Sequence, residues 1–193
     1  MKRKLLTDHL NSIYKTHSYK DYGPNGLQIE GKNEIKKIGL AVSATKESVE
    51  LAVEHKCDAL IVHHGLFWKF HGPRAIKGSF GRRVVPLIKN EINLYGFHLP
   101  MDGHPELGNA AFIAKLVGGE ISGSFGDYEG MPTGVKVKFK NGISPNSLKE
   151  VLEKKLNHNV IHSSPSDDLI HGLGIITGGA NGGWRECIRE NLD

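Results

Sequence analysis

The sequence predicts an α/β protein of two linked α/β units, with a mainly parallel sheet in the first unit. Up to Val117, short apolar runs alternate with segments of helical periodicity, an order typical of a parallel sheet. From about Ser122 the chain becomes rich in glycine, which predicts a boundary between residues 1–121 and 122–193. A chain of 193 residues, 38% hydrophobic and 24% charged, is long and apolar enough to pack such units.

The elements of the first unit follow from hydrophobic periodicity. Leucines and isoleucines at helical spacing predict an amphipathic helix over 2–17, and Gly-Pro-Asn-Gly within 21–31 predicts a turn. Short apolar runs predict three strands, at 38–43, 58–64 and 92–98. Apolar residues at helical spacing predict three helices, at 45–56, 81–91 and 109–117.

The second unit begins with residues 122–134, whose glycine, serine and proline content predicts a linker or long loop. Strict alternation at 134–140 predicts a half-buried strand with a row of lysines on one face. Ser144 and Pro145 predict the N-cap and first position of a helix to Leu156. The remaining elements are predicted to be strands at 159–163 and 173–177, a glycine loop at 178–183 and a short final helix.

Composition argues against several classes of protein. The net charge of +4 is too small to indicate nucleic acid by itself, and two cysteines, Cys57 and Cys187, do not make a disulfide framework. Asp8 and His9 interrupt the apolar region that a signal peptide would need near its start. No apolar stretch is long enough to span a bilayer. We therefore expect a reduced, cytoplasmic protein without a membrane partner.

Histidines and a carboxylate stand at the ends of two predicted strands. His63 and His64 close one apolar run, and His98 and Asp102 follow the next, with His104 close behind. Because the carboxyl ends of parallel strands lie along one edge of a sheet, these side chains are expected to meet there. Imidazole suits zinc and iron, and carboxylate can bridge two ions. The competing interpretation is a set of core or surface histidines beside a loop aspartate, and the clustering favours the metal.

Three further features allow two interpretations each. Phe67 and Trp68 wall a pocket or belong to the core, with nothing in the sequence to choose between them. The lysines at 136, 138 and 140 contact phosphates or form a solvated strand face, and the solvated face is favoured. The glycine loop at 178–183 lies before a helix, where anions bind, but it matches no phosphate-binding motif, and tight packing is favoured.

Three segments resemble one known family, the GTP cyclohydrolase 1 type 2 homologues, also called NGG-interacting-factor-like proteins, and especially their short bacterial members. The segments are 21–31 (DYGPNGLQIEG), 60–68 (LIVHHGLFW) and 92–109 (INLYGFHLPMDGHPELGN), with a weaker match at 176–179. The resemblance implies two linked α/β units, a ring-shaped homohexamer and a dinuclear divalent-metal site.

Carried over by position, the family's metal ligands fall on His63, His64 and Asp102, and His98 falls beside the metals as an orienting or occasional ligand. The family also supplies a histidine and, four residues later, a glutamate near its C-terminus. No histidine of this chain has a glutamate at that spacing, so the second unit is expected to be incomplete at Asp193. The resemblance therefore implies Zn, Fe or Mn, with two ions in the complete site and one, partly water-coordinated, here.

Two functions from different classes are compatible with these residues. The first is a metal-dependent hydrolase acting on a nucleotide or related metabolite; by the family's name the reaction would open the GTP imidazole ring with loss of formate. His98 and His104 are candidates for a general acid or base only because of their proximity. The second is a non-enzymatic ring that binds DNA or a protein through the lysine face. The hydrolase is favoured, with activity in this chain open because of the absent ligands.

Overall fold

The computed structural model describes residues 1–193 and divides into two compact units, Met1–Met101 and Asp102–Asp193. The division differs from the expected boundary between 121 and 122. The difference comes from the helix Asn109–Leu116 (α5), which was predicted to belong to the first unit. Its alanines pack in the apolar core of the second unit. The chain therefore passes from the first unit to the second before this helix begins. The single helical turn Leu99–Asp102 (α4) lies at the division.

A four-stranded sheet forms the centre of the first unit. Its strands are β1 (Gly26–Ile29), β2 (Ile38–Ser43), β3 (Ala59–His64) and β4 (Asn93–Gly96), in the order β1-β4-β3-β2. The pairs β2–β3 and β3–β4 are parallel, and β1 runs antiparallel to β4. The mainly parallel sheet is confirmed. Strand β1 was not predicted, because its four residues directly follow a strong turn signal.

Helices cover both faces of this sheet. Successive residues of β3 point to opposite sides, so Leu60 and Val62 join the apolar core with helices α2 (Lys46–Glu54) and α3 (Gly78–Lys89). Ala59 packs on the other side with Leu6 of helix α1 (Arg3–Tyr14). Burial on both faces explains why β3 and β4 are continuous apolar runs in the sequence.

An antiparallel sheet forms the centre of the second unit, in the order β5-β6-β7. The strands are β5 (Glu120–Tyr128), β6 (Met131–Ile143) and β7 (Ile170–Ile176). Alternate residues of β6 pack against α5 and α6 (Pro145–Leu156), while the lysines face the other way. The Ser144 side chain accepts a hydrogen bond from the Ser147 backbone N–H, which confirms the predicted cap of α6. The final helix, α7 (Trp184–Arg189), is also present.

The predicted loop at 122–134 is wrong, because these residues form most of a β-hairpin. Glu129 and Gly130 are its two-residue turn, and both have positive φ, 54° and 86°, as a type I′ turn requires. Glycine in this hairpin serves close packing: a Cβ on Gly134 would clash with the backbone carbonyl oxygen of Ile175 in β7. Glycine content therefore misled the prediction.

The predicted strand at 159–163 is also wrong, since these residues pair with no strand and Ile161 is fully exposed. The sheet β5-β6-β7 does not include this segment, and with Ile161 in solvent the segment has no buried apolar face to stabilise a strand. No helix of the structure combines the length and the apolar character that crossing a bilayer requires.

Candidate metal centre

Sheet geometry brings three histidines to one edge of the first unit. The β3–β4 pairing ends at Val62 and Gly96, so β3 extends two residues further, to His63 and His64. His98 follows the end of the parallel neighbour β4. The carboxyl ends of these strands therefore present three imidazoles together, as the sequence predicted for this edge.

The three rings lie close to one another. Their centroids are 4.4 Å apart for His63 and His64, 5.1 Å for His63 and His98, and 5.7 Å for His64 and His98. One potential ligand atom from each residue lies within 4.8 Å of the other two. Adjacent residues of an ideal strand point to opposite faces, so the proximity of His63 and His64 reflects their position at the strand end.

Hydrogen bonds to Nδ1 orient all three rings. His63 Nδ1 lies 3.0 Å from the Phe97 carbonyl oxygen, and His98 Nδ1 lies 2.7 Å from Asp21 Oδ1. A carbonyl and a carboxylate only accept, so Nδ1–H is the donor in both rings, and in the neutral ring Nε2 carries the lone pair. His64 Nδ1 lies 2.9 Å from the Ser43 hydroxyl, which suits either tautomer. Metal-binding histidines typically make this kind of contact through the nitrogen that does not bind the metal.

Asp21 is the buried carboxylate behind His98, and its side chain is only 1% exposed. Besides His98 it accepts hydrogen bonds from the Asn25 amide and from the backbone N–H of Tyr22 and Leu99. Burial raises the pKa of Asp21, but the hydrogen bonds from His98, Asn25 and Leu99 outweigh it and bring the pKa below its usual value. The ionised carboxylate therefore holds the His98 ring in place.

Sequence reasoning missed this role of Asp21. Its only signal was a carboxylate beside a turn, which is too common to be assigned a role. Asp21 and His98 are far apart in the chain, so only the folded structure reveals their contact.

The two aromatic residues after the histidine pair have separate roles. Phe67 packs against the apolar core and meets Phe80 edge-on, with centroids 5.7 Å apart. Trp68 instead lies beside the histidines, 5.0 Å from the His98 ring in an edge-to-face arrangement. The sequence offered core or pocket wall for both residues; the structure places Phe67 against the core and Trp68 beside the histidines.

Asp102 is the first residue of the second unit and is 4% exposed. Its Oδ1 accepts hydrogen bonds from Asn109 Nδ2 and Thr177 Oγ1, both at 2.8 Å. Its role as a metal ligand stays a prediction. His104 Nδ1 accepts from the backbone N–H groups of Glu106 and Leu107, so this nitrogen stabilises a turn.

The lysine row of β6 is partly neutralised. Lys136 Nζ lies 2.8 Å from Glu190 Oε2, and Lys138 pairs in register with Glu120 of β5. This arrangement suits the solvated strand face that the sequence favoured over a phosphate-binding surface.

Fold and site together define an α/β protein with a histidine cluster at the carboxyl ends of parallel strands. The family model described as Duf34/NIF3 (NGG1p interacting factor 3) matches residues 1–193, and the chain belongs to this family. The resemblance inferred from the three sequence segments is therefore confirmed.

Individual relatives agree with this assignment. The chain is 43% identical over 188 residues to a Vibrio cholerae protein named GTP cyclohydrolase 1 type 2 homolog, covering 95% of this chain and 73% of the relative. Among solved structures it resembles the protein ybgI, described as of unknown function, with a TM-score of 0.89 and 33% identity, covering 100% of this chain and 76% of ybgI. A Thermus thermophilus protein, TTHA1606, gives a TM-score of 0.80 at 29% identity, with coverage of 100% and 75%.

Proposed function

We propose that this protein binds a divalent metal ion at His63, His64 and His98 and is a metal-dependent hydrolase. The observation that carries the proposal is the cluster of three imidazoles, each with Nδ1 in a hydrogen bond. Three histidines form a donor set suited to zinc or iron, and catalytic zinc sites commonly use three protein ligands and leave a position open. The donor set therefore fits the ion that the family resemblance implies.

The chain's own residues would prepare the site for the ion. The Phe97 carbonyl and the Asp21 carboxylate fix the tautomers of His63 and His98, which directs the Nε2 lone pairs away from these partners. Trp68 packs edge-to-face beside His98, with 5.0 Å between the ring centroids. A divalent ion at such a site acts as a Lewis acid and makes hydroxide available near neutral pH.

The assignment of His98 goes beyond what the sequence predicted. By family position it was an orienting or occasional ligand, whereas its ring lies within the same group as His63 and His64. We therefore propose His98 as a ligand and Asp21 as the residue that orients it.

The proposed substrate is a nucleotide or a related small metabolite. Support comes from relatives named GTP cyclohydrolase 1 type 2 homolog. Binding of DNA or protein by a scaffold is not favoured, because the lysine face on which it depends is partly paired with glutamate.

Asp102 remains the proposed carboxylate ligand, and a dinuclear centre remains the proposed form of the complete family site. We also propose self-association into a ring. The exposed apolar side chains of the edge strand β2 support it: Leu40 is 79% exposed and Val42 is 72% exposed.

Metal analysis of the purified protein, coupled to an assay for formate release from GTP, tests the proposal. We expect close to one zinc or iron ion per chain and metal-dependent turnover. His63→Ala and His98→Ala should both remove most of the metal, because each takes away one of the three imidazole donors. Asp102→Asn should lower metal content, because it removes the proposed carboxylate ligand.

His55→Ala is a matched control, since His55 is an exposed histidine at the end of α2. It should leave metal content unchanged. Full metal content in His63→Ala would contradict the proposed centre. Turnover of GTP that survives complete chelation would contradict the hydrolase mechanism while leaving metal binding intact.

A further inference from the structure

Two aromatic side chains form a flat surface next to the histidine cluster. The Trp68 and Phe70 rings are stacked, with centroids 5.7 Å apart and an angle of 17° between their planes. The Trp68 indole also lies 5.0 Å from His98 and 6.2 Å from His64, measured between centroids. The stacked pair therefore begins at the proposed metal centre and extends away from it.

Hydrogen bonds fix the position of this pair. Trp68 Nε1 donates to the Gly65 carbonyl at 3.2 Å, which sets the orientation of the indole. Lys69, between the two aromatics, donates from its backbone N–H to the Tyr22 carbonyl at 2.7 Å and from Nζ to the Asp21 carbonyl at 2.6 Å. The segment that carries the pair is thus bonded to the segment that orients His98, and binding a ligand there needs little ordering of the protein.

Phe70 is 70% exposed, a costly position for a ring of this size, and it belongs to none of the apolar clusters of the core. The Trp68 indole stacks on the ring, and His71 meets it at 4.6 Å between centroids, inclined by 65°. Most of the ring surface still faces solvent and is available to another flat group. Aromatic rings stack in this offset manner at centroid distances of about 4.5–7 Å, so a planar ligand ring can continue the stack.

The charge around the pair favours an anionic ligand. Residues 69–77 (KFHGPRAIK) carry three cationic side chains, Lys69, Arg74 and Lys77, and no carboxylate. Arg74 donates to Nδ1 of His71, the residue that meets the Phe70 ring, at 3.0 Å, and its guanidinium lies over the Phe80 ring, 4.1 Å from the centroid. A ligand that combines a flat ring with a phosphate or carboxylate group complements both features.

We infer that Trp68 and Phe70 form a stacking platform that binds the planar heteroaromatic ring of an anionic substrate, of the nucleotide class, beside the histidine cluster. The inference extends the proposed function, since it names the groups that would hold the substrate's ring. Its physical basis does not require the metal, because stacking and charge attraction act without it.

Tryptophan fluorescence can report this binding directly. The chain has two tryptophans, so a Trp184→Phe variant leaves Trp68 as the sole indole. Guanosine 5′-monophosphate is the probe, and ribose 5-phosphate is the control that carries the charge without the ring. We expect saturable quenching by the nucleotide and none by the sugar phosphate. Phe70→Leu in this background should raise the Kd roughly five- to hundredfold, the range that loss of one stacking contact implies.

A matched control variant is Phe112→Leu, which changes a phenylalanine that is 60% exposed on α5, and should leave the Kd unchanged. Titrations with and without a chelator separate this inference from the metal proposal, because quenching should persist in both. Absent quenching, an equal response to ribose 5-phosphate, or an unchanged Kd in Phe70→Leu would overturn the inference. An effect of Phe70→Leu on molecular mass by light scattering, with no effect on the Kd, would overturn it too and show a contact between copies.

Discussion

At the scale of single residues, the most informative contact is the 2.7 Å hydrogen bond between His98 Nδ1 and Asp21 Oδ1. It converts a histidine of ambiguous role into one with a fixed ring and a defined tautomer. The carboxylate is buried and accepts four hydrogen bonds, so its geometry is rigid. Support of this kind behind a metal ligand commonly decides how tightly the ion binds.

Asp21→Asn should weaken zinc binding about ten- to a hundredfold. The amide lacks the negative charge, and its NH2 group would face one of the donors that the carboxylate now accepts. A competition titration against a chelator of known affinity measures the change. Asp8→Asn removes an exposed carboxylate that pairs only with Lys4 on α1, so it should bind zinc as the unchanged protein does. Equal affinities in both variants would mean that Asp21 does not act through His98.

At the scale of elements, a carboxylate joins the start of β3 to the segment before β2. Asp58 Oδ2 accepts the backbone N–H groups of Lys36 and Lys37, and Oδ1 lies 3.2 Å from Lys32 Nζ. The N–H group of Lys36 lowers the pKa of Asp58 most, burial opposes this, and Lys37 and Lys32 lower it further. These bonds fix where two neighbouring parallel strands begin, and so help to set their register.

Asp58→Asn should reduce the free energy of unfolding at pH 7 by about 1–2 kcal/mol, since hydrogen bonds to a charged acceptor are lost. The folded-state pKa is lowered, so the stabilisation is complete above the unfolded pKa of about 3.9 and is lost as the pH falls through the folded-state value. Urea unfolding at pH 7 and at about pH 3 measures this, and the gap between the two proteins should narrow at the lower pH.

Glu50→Gln is the control for this prediction. Glu50 forms an exposed pair with Lys46 one helical turn away, and such pairs contribute only a few tenths of a kcal/mol. Its effect on the unfolding midpoint should be small at both pH values. A gap for Asp58→Asn that stays constant with pH would show that the carboxylate charge is not the source of the stability.

At the scale of the whole molecule, the edge strand β2 presents apolar side chains that the chain itself does not cover. Ile38, Leu40 and Val42 alternate along one face of the strand and are 40%, 79% and 72% exposed. An exposed apolar edge invites pairing with another chain unless something covers it. This is the surface through which we propose that copies of the protein associate.

Leu40→Lys should shift the protein from an oligomer towards the monomer, because the charge would have to be buried at the contact. Light scattering and sedimentation measure the mass directly. Val85→Lys on α3 places the same charge at a position that is 37% exposed and outside β2, and should leave the mass unchanged. An oligomer that withstands Leu40→Lys would place the contact elsewhere on the molecule.

Sequence alone determined much of this protein. The continuous apolar runs of β3 and β4 indicate parallel strands, because burial on both faces of a sheet removes the alternation of polar and apolar residues. The polar residues that directly follow these runs indicate the sheet edge at which a site forms. Ser144 and Pro145 reveal the start of α6, since capping is a local interaction between neighbours in the chain. The histidines were found for the same reason: they lie where a local pattern stops.

Only the tertiary structure decided the rest. The contact of Asp21 with His98 and the different environments of Phe67 and Trp68 depend on residues that are not neighbours in the sequence. Glycine is needed at position 134, within a strand, because the backbone carbonyl of Ile175 in the neighbouring strand occupies the space of a side chain. Local propensity cannot encode such contacts, because they exist only once separate segments have packed together.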